Sequence, residues 1–137
     1  MPATLAQKLQ IKSGQQVAVI NPPQGYLEKL RAELAGITVT ATATAGASAV
    51  LLFVNNLAEA GRLVPEAMRT VKPDGLLWVA YPKGTSGIKT DANRDRLWQA
   101  LEPTGWRPVR MVALDDIWSS MRFRPAELVK NEPYEIN

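Results

Sequence analysis

The sequence predicts a single α/β domain in three layers, with a mostly parallel six-stranded sheet and helices on both of its faces. Short apolar runs, each the length of one buried strand, alternate with segments whose apolar residues recur at helical spacing. Near the end of the chain, two strand-like segments lie only two residues apart, which predicts a hairpin and an antiparallel last strand. The 137 residues suffice for one ordinary domain. We place it at residues 1–125, followed by a polar tail at 126–137.

The first half of the chain contains three predicted strands and one helix. Residues 16–21 form a short apolar run bounded by a glycine and a proline, which is typical of a strand buried on both faces. Leucines recur at helical spacing over residues 27–34, and Gly36 ends that helix. A β-branched segment at 37–41 and an apolar run at 49–54 predict the second and third strands.

The connection between the second and third strands is short. Residues 42–48 must join them without a helix, and at roughly 3.3 Å per residue they reach about 23 Å. That length is barely enough to return along one strand and pass its neighbour. If it does not suffice, the second strand lies at an edge in another arrangement.

A helix and a fourth strand follow in the second half. One apolar stripe runs through residues 57–71, and Pro65 within it predicts a kink or two short helices. The Lys-Pro-Asp-Gly sequence at 72–75 has the residue preferences of a type I turn. Residues 76–81 then form the fourth strand.

The last elements are a helix and the hairpin. Thr90 or Asp91 is expected to cap a helix that ends before Pro103. Residues 106–114 and 117–124 are the fifth and sixth strands, and the adjacent pair Asp115-Asp116 between them is interpreted as turn chemistry.

The composition excludes several classes of function. The chain contains no cysteine and no histidine, so it has no disulfides, no zinc–thiolate site and no histidine general base. We therefore assign no catalytic residue, no metal and no cofactor. The net charge is +3, but basic and acidic residues alternate, which argues against a nucleic-acid partner. Since no apolar run is long enough to cross a bilayer, we expect a cytoplasmic protein without a membrane partner.

Ligands of open α/β sheets bind beyond the carboxyl ends of the strands, near the point where the strand order reverses. In this chain those ends are Asn21, Asn55 and Tyr81, and Tyr26 lies just beyond the first of them. The amides of the two asparagines could bind a ligand. The alternative is that each asparagine caps the following helix, which we favour for Asn55 or Asn56.

The segment after the fourth strand contains the best candidates for binding a small anion. Lys83 and Lys89 lie among glycines and hydroxyl residues ahead of a helix whose first turn contains Arg94. Cations beside exposed amides and a helix amino terminus can form an anion pocket. The favoured alternative is a mobile surface loop with scattered lysines.

The last strand has two distinct faces. Alternation places Trp118, Ser120, Arg122 and Arg124 on one face. Ile117, Met121 and Phe123 lie on the other. A tryptophan beside two arginines could bind an acidic group. We favour a tryptophan that covers the sheet with arginine stems lying over it.

Two stretches resemble the class I S-adenosylmethionine-dependent methyltransferases. Residues 49–54 resemble the fourth strand of that family, and residues 64–79 resemble its following helix, Lys-Pro-x-Gly turn and fifth strand. The resemblance covers roughly residues 11–125 and implies a methyltransferase-like, Rossmann-like fold. The chain differs from that family in the segments that bind its cofactor. The loop at 21–26 has two prolines and one glycine instead of a glycine-rich sequence, and no acid occurs from 34 to 58. One strand and one helix of the family are also missing.

The chain more closely resembles a small uncharacterised bacterial family, defined only as a domain of unknown function. The matching residues are Gly75-Leu76-Leu77-Trp78, Pro82-Lys83, Trp118-Ser119 and Arg122. This resemblance implies a fold and no activity. We therefore expect a non-catalytic binding domain for a small anionic ligand or a protein partner, including a second copy of the chain. The alternative is a reduced S-adenosylmethionine-dependent methyltransferase that holds its cofactor in an unusual pose.

Overall fold

A computed structural model describes residues 4–41, 45–129 and 135–136. The strands are β1 (Gln16–Ile20), β2 (Thr38–Thr40), β3 (Ala47–Phe53), β4 (Val71–Pro82), β5 (Trp106–Ala113), β6 (Trp118–Pro125) and β7 (Glu135–Ile136). The helices are α1 (Leu5–Lys8), α2 (Tyr26–Glu33), α3 (Leu57–Thr70), α4 (Arg94–Leu101) and α5 (Ala126–Val129). None of the helices in the described part of the chain is both long and apolar enough to cross a membrane.

The strands form one sheet in the order β2-β1-β3-β4-β6-β5-β7. The first four are parallel, and β6 runs antiparallel to both β4 and β5. This arrangement confirms the predicted fold, including the antiparallel last strand of the hairpin. The two-residue strand β7 comes from the predicted tail and pairs in parallel with the outer edge of β5. Residues 130–134 and 137 of that tail lie outside the described residues.

Helices cover both faces of the sheet, because alternate side chains of the central strands point in opposite directions. On β3, Leu52 packs in the cluster beneath α3 and α4, which contains Val64 and Leu97. Phe53, the next residue, packs on the opposite face with Leu30 of α2. The two hydrophobic cores therefore lie on either side of one sheet, as a three-layer fold requires.

The connection from β2 to β3 is feasible because β2 is short. Thr40, the last residue of β2, pairs with Ala18, whereas Ala49 of β3 pairs with Val17. Ala47, where β3 begins, therefore lies about three residues, or roughly 10 Å, back along β1 from Thr40. The chain must also step sideways by two strand spacings, roughly 10 Å in all. Six residues can cover this distance, although residues 42–44 themselves lie outside the described part.

Two helix predictions need correction. Of the two alternatives for Pro65, the division into two short helices is wrong, because helix α3 continues through this residue, whereas the kink stays a prediction. Its buried stripe packs on the sheet, and this packing outweighs the one backbone hydrogen bond that the proline removes. Helix α4 is capped by Asn93, whose side chain accepts from the backbone N–H of Arg96, and not by Thr90 or Asp91.

The predicted turn at 72–75 lies inside β4, which begins at Val71, and it is not type I. Asp74, its third residue, has φ +52°, whereas a type I turn has a negative φ there. Gly75 is required by close packing, because a Cβ atom would lie 2.7 Å from Val71 Cγ2 and 2.9 Å from the Ser48 carbonyl oxygen. Arg124 holds the turn from β6 through two 3.0 Å hydrogen bonds to the Asp74 carboxylate.

Candidate functional site

The strand order reverses between β1 and β3, since β2 lies on one side of β1 and β3 on the other. Beyond the carboxyl ends of these two strands lies the position where open α/β sheets bind their ligands. Asn21 follows β1, and Asn55 lies two residues beyond the end of β3. We call this region the switch-point crevice and define it by Asn21, Asn55 and Glu59.

The side chain of Asn21 joins the carboxyl ends of β1 and β3. Asn21 adopts a left-handed backbone conformation, with φ +58°. Its Nδ2 donates to the Phe53 carbonyl oxygen at 2.9 Å and to Glu59 Oε1 at 3.2 Å. Asn21 does not cap the following helix, because the N-cap of α2 is Gly25. The amide instead ties the end of β1 to β3 and to the start of α3.

Glu59 accepts hydrogen bonds from the amide groups of the crevice. Its Oε1 accepts from the Asn55 backbone N–H at 2.7 Å and from Asn55 Nδ2 at 2.9 Å, besides Asn21. In the part of the chain that the structure describes, all hydrogen bonds to this carboxylate end on Oε1. The backbone N–H of Asn55 is the largest cause that lowers the pKa of Glu59, with help from both amide side chains and Arg62 and against the effect of burial. Glu59 is therefore ionised at neutral pH.

Glu59 was not among the residues predicted for the site, although the sequence contains a signal for it. Asn56 caps α3 by accepting from the Glu59 backbone N–H at 2.8 Å, which confirms the favoured capping interpretation for Asn56. The spacing Asn56-x-x-Glu59 resembles a capping box, in which the acid three residues into the helix points back over its start. That signal places a carboxylate at the crevice.

The loop after β4 is hydrogen-bonded to the junction between β3 and α3. Thr90 Oγ1 donates to the Asn55 carbonyl oxygen, and Asp91 Oδ1 accepts from the Leu57 backbone N–H at 2.9 Å. Instead of capping α4, these two residues hold the loop against the edge of the crevice.

The predicted cations on this loop have separate environments. Lys83 is half-buried, and its backbone N–H donates to the Ile117 carbonyl oxygen at 2.7 Å, which ties the loop to the β5–β6 turn. Lys89 is exposed. Arg94 begins α4 and forms an exposed ion pair with Asp95 at 3.3 Å. Tyr81 is buried, and burial raises its pKa, whereas a hydrogen bond with Ser119 and the charge of Arg94 act to lower it.

A second polar cluster joins α2 to the β5–β6 turn. Asp115 Oδ1 accepts from the backbone N–H groups of Ile117 at 2.8 Å and Trp118 at 2.7 Å, which confirms its role in the turn. Its Oδ2 accepts from the Tyr26 hydroxyl at 2.9 Å and from Lys29 Nζ at 3.1 Å. Burial acts to raise the pKa of Asp115, but these four hydrogen bonds outweigh it and lower that pKa. For Tyr26, burial and the Asp115 carboxylate raise the pKa of the hydroxyl.

Aromatic side chains connect the same elements beneath this cluster. The Phe53 ring lies edge-on to Tyr26 at 5.0 Å and to Trp118 at 5.1 Å between centroids. Trp118 is buried in the core, and Arg122 and Arg124 on the same strand face bind Gln10 and Asp74. Within the residues described, no three acidic side chains lie close enough together to hold a metal ion.

Comparisons with known proteins bear on the fold. No family model matches this chain, and no curated protein matches it. A solved structure of an S-adenosylmethionine-dependent methyltransferase from Aquifex aeolicus is similar, with a TM-score of 0.60 and 13% identity over 87% of this chain and 86% of that one. A putative type 11 methyltransferase from Sulfolobus solfataricus matches with a TM-score of 0.52 and 9% identity over 88% and 89% of the two chains.

A third match is the phosphoethanolamine N-methyltransferase 2 of Haemonchus contortus, solved with phosphomonomethylethanolamine and S-adenosylhomocysteine. Its TM-score is 0.52, with 14% identity over 93% of this chain and 39% of that one. At these identities the similarity is one of fold. The chain therefore has the fold of S-adenosylmethionine-dependent methyltransferases.

Proposed function

We propose that this chain binds S-adenosylmethionine in the switch-point crevice and acts as a reduced methyltransferase. The observation that carries the proposal is the Glu59 carboxylate, which lies at the ligand-binding position of the fold and accepts hydrogen bonds from the described residues through Oε1. The Aquifex protein supports it, because a methyltransferase of nearly the same length shares the fold over most of both chains.

Glu59 suits the hydroxyl groups of a ribose. An ionised carboxylate only accepts hydrogen bonds, and a ribose offers two adjacent hydroxyl donors. In the family that the sequence resembles, this acid comes from the end of the second strand, where the present chain has none. Here α3 supplies the carboxylate from the other side of β1. Asn21 and Asn55 orient it through their amide groups.

The loop after β1 fits the amino-acid end of the cofactor poorly. Pro22 and Pro23 have no backbone N–H, and the N–H of Tyr26 donates to the Pro23 carbonyl oxygen at 3.0 Å. The residues present therefore suit the nucleoside and require a different pose for the remainder of the molecule. When bound, S-adenosylmethionine supplies an electrophilic methyl group. The protein contributes binding and orientation, which can account for much of the rate of such a transfer.

A second candidate function is a binding domain that holds an adenosine-containing or other small ligand without transferring a methyl group. The same prolines favour it, because they remove donors that a catalytic pose would use. The absence of histidine favours it too, since the commonest general base is missing.

Isothermal titration calorimetry with S-adenosylmethionine and S-adenosylhomocysteine tests the first proposal. We expect micromolar binding by the natural chain and a loss of about tenfold or more in Glu59→Gln, because the variant lacks a charge-assisted hydrogen bond. Glu66→Gln on the same helix is the matched control and should bind like the natural chain. If the natural chain released or absorbed no heat on titration at high protein concentration, that result would contradict the proposal.

The two candidates are separated by the fate of the methyl group. The protein is incubated with S-adenosylmethionine and a small-molecule extract, and S-adenosylhomocysteine is measured by mass spectrometry. Formation of S-adenosylhomocysteine that requires both the extract and Glu59 supports the methyltransferase function. Binding with no formation of S-adenosylhomocysteine supports the binding domain.

A further inference from the structure

A cavity of about 330 Å³ lies on the other side of the loop that follows β1. The loop contributes Pro23 and Gly25, α2 contributes Tyr26 and Lys29, and the β5–β6 turn contributes Ile117 together with Asp115 and Trp118. This volume is at the lower end of the range of roughly 300–1,000 Å³ for small-molecule sites. Residues from three separate elements thus line an open depression large enough for a small ligand.

The walls of this cavity are largely apolar and aromatic. Tyr26 and Trp118 are held by their edge-on contacts with Phe53, so their positions are determined before any ligand binds. The side of the cavity nearest solvent contains Ile117, which is 42% exposed. Ile88 is also exposed, and its loop is tied to the β5–β6 turn through Lys83. Exposed apolar side chains at a ligand-binding edge favour an apolar ligand.

The charges at this cavity balance each other. Lys29 Nζ lies 3.1 Å from Asp115 Oδ2 and 5.1 Å from the centroid of the Tyr26 ring. It therefore occupies the position that a cationic ligand would take between a carboxylate and an aromatic face. An anionic ligand would have to approach the Asp115 carboxylate. An uncharged hydrogen-bond acceptor neither competes with Lys29 nor is repelled by Asp115. The Lys29 ammonium has three protons and donates one of them to Asp115, so the others can bind such an acceptor.

We propose that this cavity binds a small, planar, uncharged molecule whose ring lies against the aromatic wall and whose hydrogen-bond acceptor faces Lys29. The site is separate from the switch-point crevice and does not depend on the binding of S-adenosylmethionine. If the proposed methyltransferase function holds, its ligand is a candidate methyl acceptor, since one loop separates the two sites.

The test is an NMR titration of the ¹⁵N-labelled chain, without any adenosine ligand, using three probes of equal shape. Benzamide is neutral, benzoate is anionic and benzamidinium is cationic. We expect benzamide to shift the Trp118 indole and Ile117 amide signals and to bind at least threefold more tightly than either charged probe. Shifts located elsewhere on the protein would overturn the proposal.

Lys29→Met gives the sharpest result, because it removes the internal cation and leaves the Asp115 carboxylate in place. We expect the order to change so that benzamidinium binds most tightly and benzamide weakens at least threefold. A merely structural role for Lys29 would leave the order of the probes unchanged, and that result would overturn the proposal.

Three further variants locate the site. Ile117→Ser should weaken all three probes by similar factors, whereas Leu128→Ser, at a position of similar exposure in α5, should leave them unchanged. Glu59→Gln should also leave benzamide binding unchanged, whether or not the crevice binds S-adenosylmethionine. An equal loss of benzamide binding in Glu59→Gln would show that the cavity is not a separate site.

Discussion

The two halves of the sheet differ in how they are stabilised. The narrow half, β1, α2 and β2, ends in a strand of three residues, and α2 begins at Gly25 without a side-chain cap. The wide half, β3 to β6, contains the twelve-residue strand β4 and two helices capped by Asn56 and Asn93. Both long helices of the wide half therefore have side-chain caps, whereas the helix of the narrow half has none.

Side chains that reach across the carboxyl edge compensate for this difference. Asn21 binds Phe53 and Glu59, and Tyr26 binds Asp115, so both ends of the loop after β1 are attached to the wide half. These long-range contacts hold the narrow half to the rest of the sheet. Both proposed sites lie at the boundary between the halves.

The largest expected effect comes from one matched substitution made in each half. Val79→Ala in β4, where the side chain is fully buried, should lower the free energy of unfolding by about 2–3 kcal/mol, through lost burial and a cavity that cannot collapse. Val39→Ala in the edge strand β2 should cost about 1 kcal/mol. Urea denaturation measures both, and equal losses would show that the two halves are stabilised alike.

Two glycines of the wide half, Gly61 and Gly75, should respond to alanine in opposite directions. Gly75→Ala should destabilise the protein by about 2 kcal/mol, because the added methyl would press against Val71 and the Ser48 backbone. Gly61→Ala in α3 has open space around it and should stabilise by about 0.5–1 kcal/mol. Thermal unfolding followed by circular dichroism checks both signs. A Gly75→Ala variant as stable as the natural chain would contradict this account of Gly75.

The cap of α3 should contribute about 1 kcal/mol. Asn56→Ala removes the acceptor for the Glu59 backbone N–H, and we expect that loss in urea denaturation. Asn56→Asp retains a capping oxygen and should stay within a few tenths of a kcal/mol of the natural chain. If the aspartate variant lost as much stability as the alanine variant, the side chain would not act through its cap.

The smallest expected effect is a dependence of stability on acid. The pKa values of Glu59 and Asp115 are lowered in the folded state, so the native protein binds fewer protons than the unfolded chain in acid. Their contribution is complete at neutral pH and is lost as the pH falls below about 4. Glu59→Gln should reduce the slope of the free energy of unfolding against pH between pH 6 and pH 3. A slope that is unchanged in Glu59→Gln would contradict the assignment.

Much of the fold was predictable because its signals are local. The run at 16–21 and the leucine spacing at 27–34 each reflect burial of one element, and they correspond to β1 and α2. Details at element ends were less predictable, as Asn93 and Asp74 illustrate. A cap and a turn type depend on backbone angles that neighbouring elements impose.

The candidate sites were predictable only in part. Topology alone places Asn21 and Asn55 beyond strand ends, but their shared partner Glu59 depends on the start of α3. Tyr26 and Asp115 are 89 residues apart, so no spacing in the sequence relates them.

The sequence by itself determined the α/β class, the hairpin and the absence of cysteine and histidine chemistry, because these follow from residue types and short-range periodicity. Only the tertiary structure decided that Glu59 lies at the switch-point crevice and that Lys29 is paired with Asp115 beside a cavity. The physical reason is that hydrogen bonds and ion pairs between distant segments form wherever packing of the sheet and helices brings donor and acceptor together. Periodicity records burial and carries no information about which partner a polar side chain will meet.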